Sequence, residues 1–364
     1  MTTRRIDVIH PADMSPADVE LWGELRARTA PLANPFMSPE FCQAVGRVRP
    51  GTRVAVVRQD GEPAGFFPFE RARWGRGRAV GLGVSDCQGA VLHPDLHVDP
   101  HELLRASSLA VWGFNHLESG QDLFLPFATG RFASPVIDLT SGYAHYEELL
   151  RTRSRKFLKS TLAQDRRLAR QAGPLKFVFD ERNPAALRTL MAWKSAQYRR
   201  TGRRDRFAQD WISNLVRNLA DTSTPACSGV LSVLYAGDRP VAAHFGMRSR
   251  TVLSYWFPAY DRSFATFSPG LVLHLRLIEA AAAAGIELLD LGRGDAAYKD
   301  SLKTRELVVH EGAVLRPRPG AALHWLSREP SRALRRFVRG RPRLKAAAVH
   351  TLEAIGEVRG GRRP

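Results

Sequence analysis

Residues that can do chemistry gather around positions 268–299. Ser268, Pro269 and Gly270 open a run with helical spacing, and Asp290 lies near the end of a short β-rich run, Ile286–Leu291. Gly292, Arg293, Gly294, Asp295, Tyr298 and Lys299 follow at once. A loop that feeds a helix N-terminus, beside a strand that ends in polar residues, is a recipe for an anion-binding cleft. Asp290 shares a strand face with Ile286 and Leu288, so its carboxylate starts from a partly buried position and needs a partner. Arg293 or Lys299 is nearest in sequence. Such a carboxylate serves either as half of a structural ion pair or as a group that positions or deprotonates an acceptor. Lys299 suits a phosphate or the oxyanion of a tetrahedral intermediate, and it equally suits the solvated surface. His244, between alanines and Phe245 on a strand, faces the cleft as a proton acceptor or packs as an ordinary strand histidine. Asp86 and Gln88 occupy a loop in the first half of the chain, within reach of an acceptor or as turn caps. Tyr255 and Trp256 either wall the cleft or fill the core.

Positioning these groups falls to a simple set of elements. Ser268 as N-cap, Pro269 at the first helical position, the apolar series Leu271, Leu275, Ile278 and Ala282, and Gly285 at the end predict a helix. Ile286–Leu291 predicts a strand. Ahead of them, Gly229–Tyr235, the turn at 236–240, Val241–Arg248 and Val252–Pro258 read as a three-strand meander. It is preceded by helices over Ala185–Arg199 and Phe207–Leu219 and by a strand at Leu175–Phe179. A single basic helix is expected over Tyr146–Gln171. The first half repeats the order. A strand at Ile6–Ile9 and helices at Asp18–Arg28 and from Ser38 precede strands at Arg53–Arg58, Ala64–Glu70 and Ala79–Gly83. A helix over His101–Ala110 and closing strands at Leu123–Leu125 and Pro135–Leu139 complete it. RVAVVRQDGEPAGFFPFERARWGRGRAVGLG and VLSVLYAGDRPVAAHFGMRSRTVLSYWFPA share strand, Gly/Asp turn, proline, strand, turn, strand. The pattern predicts an α/β chain of two tandem units, each a mixed, mostly antiparallel sheet flanked by helices. The units span 1–142 and 143–315, the second carrying the active cleft, and 316–364 forms a basic tail.

Composition narrows the partners. The 364 residues include 54 Lys and Arg against 36 Asp and Glu, a formal charge of +18, which favours anionic ligands or surfaces. Basic residues concentrate on the helix around Arg151–Arg170, in the loop at 200–206 and in the tail, where Trp325, Leu326, Leu334, Phe337 and Val338 suit short amphipathic helices or a solvated segment. Cys42, Cys87 and Cys227 are isolated, with no metal-ligand or disulfide spacing. No apolar leader or bilayer-length run is present, so a reduced, cytoplasmic protein is expected, with the tail able to rest on the inner face of a membrane.

The segments NPFMSPEF, SDCQGAVLHP and YDRSFATFSPGLVL…DLGRGDAAYK, together spanning about 34–304, resemble the CelD-like, cellulose-biosynthesis-associated branch of GNAT acetyltransferases, which is related to the FemAB peptidyltransferases. The resemblance implies transfer of an acyl group, typically acetyl from acetyl-CoA, to an amine or hydroxyl of a small-molecule or glycan-linked acceptor in exopolysaccharide or envelope synthesis. For such a transfer the residue chemistry read above makes Asp290, His244 and Lys299 the catalytic candidates. Ser268, Gly270, Tyr255 and Arg293 would hold acyl-CoA, and Asp86, Gln88 and Tyr298 the acceptor, with no metal. One departure stands out. The loop Ser263–Gly270 has a single glycine where GNAT pyrophosphate loops have two, and Pro269 removes a donor. That departure, with the basic charge, keeps open a FemAB-like transferase drawing on aminoacyl-tRNA. A non-catalytic GNAT-like binding module is the third alternative.

Overall fold

In the computed structural model, which describes residues 3–28, 33–294 and 296–316, both meanders form as their turn chemistry requires. The first half runs β1 (Arg4–Ile9), α1 (Pro16–Ala27), α2 (Pro39–Val48), β2 (Thr52–Gln59), β3 (Glu62–Arg71), β4 (Arg76–Arg78), β5 (Val91–Leu92), α3 (Pro100–Ala106), β6 (Val111–Glu118) and β7 (Ala128–Asp138). The second runs α4 (Gly142–Arg153), α5 (Arg155–Ala172), β8 (Leu175–Val178), α6 (Pro184–Arg200), α7 (Asp210–Ala220), β9 (Ser228–Ala236), β10 (Arg239–Arg248), β11 (Val252–Tyr260), α8 (Pro269–Ala283), β12 (Leu288–Asp290), α9 (Ala297–Leu302) and β13 (Arg305–Leu315). Ser38 caps α2 by accepting from the Phe41 N–H at 3.1 Å, with Pro39 at the first helical position. Asp60 and Gly61, at φ 53° and 91°, make the tight turn between β2 and β3.

The described strands form one sheet in the order β1-β2-β3-β4-β6-β13-β7-β12-β11-β10-β9-β8, with β5 paired to β3. Its two ends repeat each other. β1 to β4 and β8 to β11 are antiparallel meanders, and each passes through a helix to a parallel neighbour, β6 beside β4 and β12 beside β11. At the centre the chain crosses over. β7 pairs with β12, whereas β13, from the far end of the sequence, lies between β6 and β7. Each half of the sheet is thus completed by a strand from the other half of the chain.

The largest core lies where the two halves face each other. Trp22, Phe36, Phe41 and Phe66 from the first pack with Leu190, Leu215, Phe245 and Trp256 from the second. Trp22 stacks on Phe66 at 4.9 Å, and Phe36 meets Trp256 edge-on at 5.4 Å. Each such side chain contributes about 1.5–3 kcal/mol by leaving water. Separate clusters under α3 and under α8 cover the opposite faces of the sheet.

Several local expectations change. Residues 79–83 form turns rather than a strand, because Gly81 and Gly83 adopt φ of 64° and 97°. The expected basic helix is two, α4 and α5, broken at Ser154, whose hydroxyl donates to the Ser301 carbonyl at 2.8 Å. β6, β13 and α9 arise in segments without an assigned element, and 123–125 is not a strand. The basic tail from residue 317 and its aromatic residues lie outside the described residues.

Candidate active site

β11 and β12 pair over three positions only, Val252 with Leu288, Leu253 with Leu289 and Ser254 with Asp290. Beyond them β11 continues with β10 to Tyr260, while β12 ends at Asp290 and leaves the pairing with β11. The parallel pair therefore opens into a wedge, with α8 starting just after β11. On β10 a bulge between Phe245 and Met247 marks the same level. Gly246 is required there, since a Cβ would stand 2.4 Å from the Ser254 carbonyl oxygen.

A column of rings crosses the wedge. His244 lies on Tyr255 at 4.1 Å with planes 4° apart, Tyr255 on His274 at 4.4 Å, and His274 against Tyr298 at 4.7 Å. The Tyr255 hydroxyl and His274 Nε2 are hydrogen-bonded at 3.0 Å. Of the two readings of His244, proton acceptor facing the cleft or packed strand histidine, the structure shows the packed one: it is fully buried, and its Nε2 accepts from the Trp256 backbone N–H at 3.3 Å. Burial, then the nearby His274 and Lys194, hold it well below the ordinary histidine value, and burial lifts the Tyr255 hydroxyl well above its own. Tyr255 is thus part of the core beneath α8 rather than a free wall for acyl-CoA, and Tyr298, half-buried, ends the column.

Asp290 sits where the wedge opens. Its Oδ1 accepts from the Gly292 N–H at 2.9 Å and the Ser134 hydroxyl at 3.2 Å, and its Oδ2 accepts from Asn34 Nδ2 at 3.3 Å. These replace the expected partners. The Arg293 guanidinium donates to the Asn115 carbonyl at 3.1 Å, pairs with Glu311 at 3.3 Å and lies over the Phe132 ring, so it does not point at the start of α8. Lys299, also buried, donates to the Gly292 carbonyl at 2.7 Å. The reason is geometric. The chain turns sharply at Gly292, φ 70°, which carries the side chains after Asp290 away from its carboxylate. Burial, followed by the charge of Asp86, pushes Asp290 up to about 6.

The first half of the chain meets this point directly. Asp86 Oδ2 lies 3.1 Å from where a Cβ on Gly292 would stand, so glycine admits the contact. His116 Nε2 lies 3.6 Å from Asp86 Oδ1. Burial raises Asp86 to about 6 against the opposing charges of Arg206 and Lys299. Gln88, expected to reach an acceptor, is buried and fully engaged with Ser85, Asn115 and the His116 N–H, so it braces the loop instead. A cavity of ≈ 190 Å³ between the halves is lined by Asn34, Asp86, Cys87, Ser134, Leu288 and Asp290.

At the start of α8 the expectation of a serine cap fails. Ser268 is left-handed at φ 49° and its side chain makes no cap bond, because its N–H closes the preceding turn on the Ala265 carbonyl. Leu271 and Val272 donate to the Ser268 carbonyl, so the helix keeps two of its first-turn donors for itself. Gly270 lies against Tyr260, with 3.5 Å between the ring and the place of a Cβ. Arg239 and Arg167 cover the loop, lying over Phe264 at 4.8 Å and Phe267 at 5.1 Å.

Asn34, Ser134, His116 and Lys194 were missed as site residues. The first lies in the NPFMSPEF segment, which was a usable signal, while Ser134 and His116 sit on strands that only the central crossover brings here. Lys194 on α6 donates to the Pro258 carbonyl at 2.8 Å, and burial, then Arg203 and Arg206, lower it to about 7.

A parallel strand pair splayed beside a helix start, at the end of an antiparallel meander, is the fold of GNAT acyltransferases. Residues 155–300 match the family model described as Acetyltransferase (GNAT) domain. Among solved structures, FemX is 11% identical with a TM-score of 0.57, covering 87% of this chain and 99% of that one. A conserved protein of unknown function from Bacteroides thetaiotaomicron is 12% identical with a TM-score of 0.55, covering 84% and 98%. A tandem GNAT protein from the clavulanic acid biosynthesis pathway is 12% identical with a TM-score of 0.50, covering 86% and 98%. At these identities the likeness speaks to the fold. No curated protein sequence matches. Among the described residues no helix is long and apolar enough to cross a membrane.

Proposed function

We propose that the protein transfers an acyl group, acetyl in the simplest case, from acyl-CoA to an amine or hydroxyl on a small or glycan-linked acceptor. The observation that carries the reading is the wedge between β11 and β12, which ends at Asp290 and the inter-unit cavity. The thioester would lie in the wedge with the CoA phosphates toward Ser268 and Gly270, where Arg167 adds positive charge and Arg239, paired with Asp261 at 2.7 Å, adds further guanidinium donors. The acceptor would enter from the cavity, attack the thioester carbonyl and form a tetrahedral intermediate. Its collapse expels the CoA thiol, with no covalent enzyme intermediate. Asp290, held by three donors, positions the acceptor side. Lys299, in the first turn of α9, brings positive charge to the same point. Membership of the CelD-like branch, a place in exopolysaccharide or envelope synthesis, and a cytoplasmic site of action with the basic tail on the inner membrane surface belong to the same proposal.

Isothermal titration with CoA and acetyl-CoA tests it. Micromolar binding that weakens on charge reversal at Arg239 supports the reading, and no binding by either ligand overturns it. A second reading takes aminoacyl-tRNA as donor, as a FemAB-like transferase would. It is favoured by the sparse donors at the start of α8 and by the exposed basic residues of α5, including Arg155, Lys159 and Arg166. Salt-sensitive tRNA binding without CoA affinity would select it.

A further inference from the structure

The hydrogen bonds around Gln88 determine where the proton sits on His116. Two backbone N–H groups, of Asn115 and His116, point at one atom of the Gln88 amide at 2.9 and 3.1 Å, so that atom is the oxygen. Gln88 Nε2 therefore donates, to the Ser85 hydroxyl at 3.0 Å and to Asn115 Oδ1 at 2.9 Å. Asn115 Oδ1 is then an acceptor for its second neighbour as well, His116 Nδ1 at 3.0 Å. His116 consequently carries its proton on Nδ1 and turns the lone pair of Nε2 toward Asp86 Oδ1, 3.6 Å away. Asp86 accepts no hydrogen bond from the described residues. Two acceptors face each other beside Gly292, where the wedge opens, with no donor between them.

The geometry points to His116 as the proton acceptor of the transfer, supplied by the first unit to the wedge of the second, with Asp86 as its charge partner. This rests on the acyl-transfer reading above and deepens it. A nitrogen about 2.9 Å from each atom sits at the apex of a triangle whose base is that separation, and two of its N–H bonds reach Nε2 and Oδ1 together. A hydroxyl, with one hydrogen, satisfies only one of them, so the site suits an ammonium-bearing acceptor. One N–H bond breaks as Nε2–H forms, which frees the nitrogen lone pair to attack the thioester carbonyl. The second proton leaves the nitrogen as the tetrahedral intermediate collapses and departs with the sulfur as thiol; the imidazolium returns its proton to solvent. Asp86 stabilises that imidazolium while it exists. Burial and the charges of Arg293 and Arg206, against Asp290 and Glu311, keep free His116 near 4, so its lone pair is available at neutral pH.

Long-range nitrogen NMR of the full chain labelled in histidine tests the site without an acceptor of known identity. His116 is expected as the Nδ1–H tautomer, and methylammonium chloride at tens of millimolar should shift its Nε2 signal where sodium chloride and methanol do not. D86N should abolish that response. An Nε2–H tautomer, or equal responses to all three probes, overturns the proposal. With acetyl-CoA and methylamine, H116Q should lower turnover at least 100-fold while acetyl-CoA affinity stays within threefold, and imidazole should restore part of it in H116A. If the wild type acetylates the probe and H116Q does so within threefold, His116 is not the acceptor of the proton. If the wild type binds no acyl-CoA, the acyl-CoA reading fails, and the NMR result alone decides the amine site.

Discussion

Asp86 and His116 depart from their ordinary values in opposite directions, and the signs of their contributions differ. Asp86 stands at about 6, above its ordinary 3.8, so the folded chain holds a proton that the unfolded chain releases between those values. Its contribution to stability is complete below 3.8 and is lost as pH rises through 6. His116 stands at about 4, below 6.5, so the folded chain resists a proton that the unfolded chain takes up. Its contribution is complete above 6.5 and is lost as pH falls through 4. The two slopes oppose each other over the shared window. D86N should therefore gain stability relative to wild type as pH rises from 4 to 6, and H116Q should lose it, each by up to about 2 kcal/mol. Urea titrations at half-unit pH steps read this directly, and parallel curves for all three proteins would show that neither group is shifted by folding. D290N exchanges an acceptor for a donor opposite Asn34 Nδ2, with an expected loss of about 1–3 kcal/mol in the same assay.

Among the elements, α8 shows how a strong local signal can be right about the helix and wrong about its cap. Pro269 begins it and Gly285, at φ 80°, follows its end as expected. Ser268, however, closes the preceding turn in the left-handed region, which costs an L-residue about 1 kcal/mol and gains no cap bond. Ser268→Gly should raise the thermal midpoint by the equivalent of about 0.5–1 kcal/mol. A lowered midpoint would mean that the hydroxyl supports the helix after all. The β9–β11 meander was equally legible, because its alternation and turns are local. β6 and β13 were not: VWGFNHLE and RELVVHEGAVL carry glycine, histidine and charge within the run, and their pairing with each other, of β6 with β4 and of β13 with β7, supplies what local propensity lacks.

At the scale of the whole molecule, the central crossover ties the two halves together. Residues 1–142 alone would leave β6 and β7 without β13 between them, and residues 143–316 alone would leave β12 and β13 without β7. Each fragment would also expose its share of the core around Trp22, Phe41, Leu215 and Trp256. Expressed separately, the fragments should be insoluble or unstructured by circular dichroism, and together they should recover a 1:1 complex. Two independently folded monomers would refute the mutual completion of the sheet.

Local chemistry in the sequence determined the repeated meander, the helix after it, the strand within 286–291 and the basic character of the surface, since turns, caps and alternation act over a few residues. The family resemblance rested on motifs of the same local kind. Tertiary structure alone decided which groups meet Asp290. Its partners are residues 34, 134 and 292, and its neighbours Asp86 and His116 come from the other half of the chain. Backbone conformation is set by neighbours in sequence, whereas the surroundings of a buried carboxylate are set by whichever distant strands the sheet brings beside it.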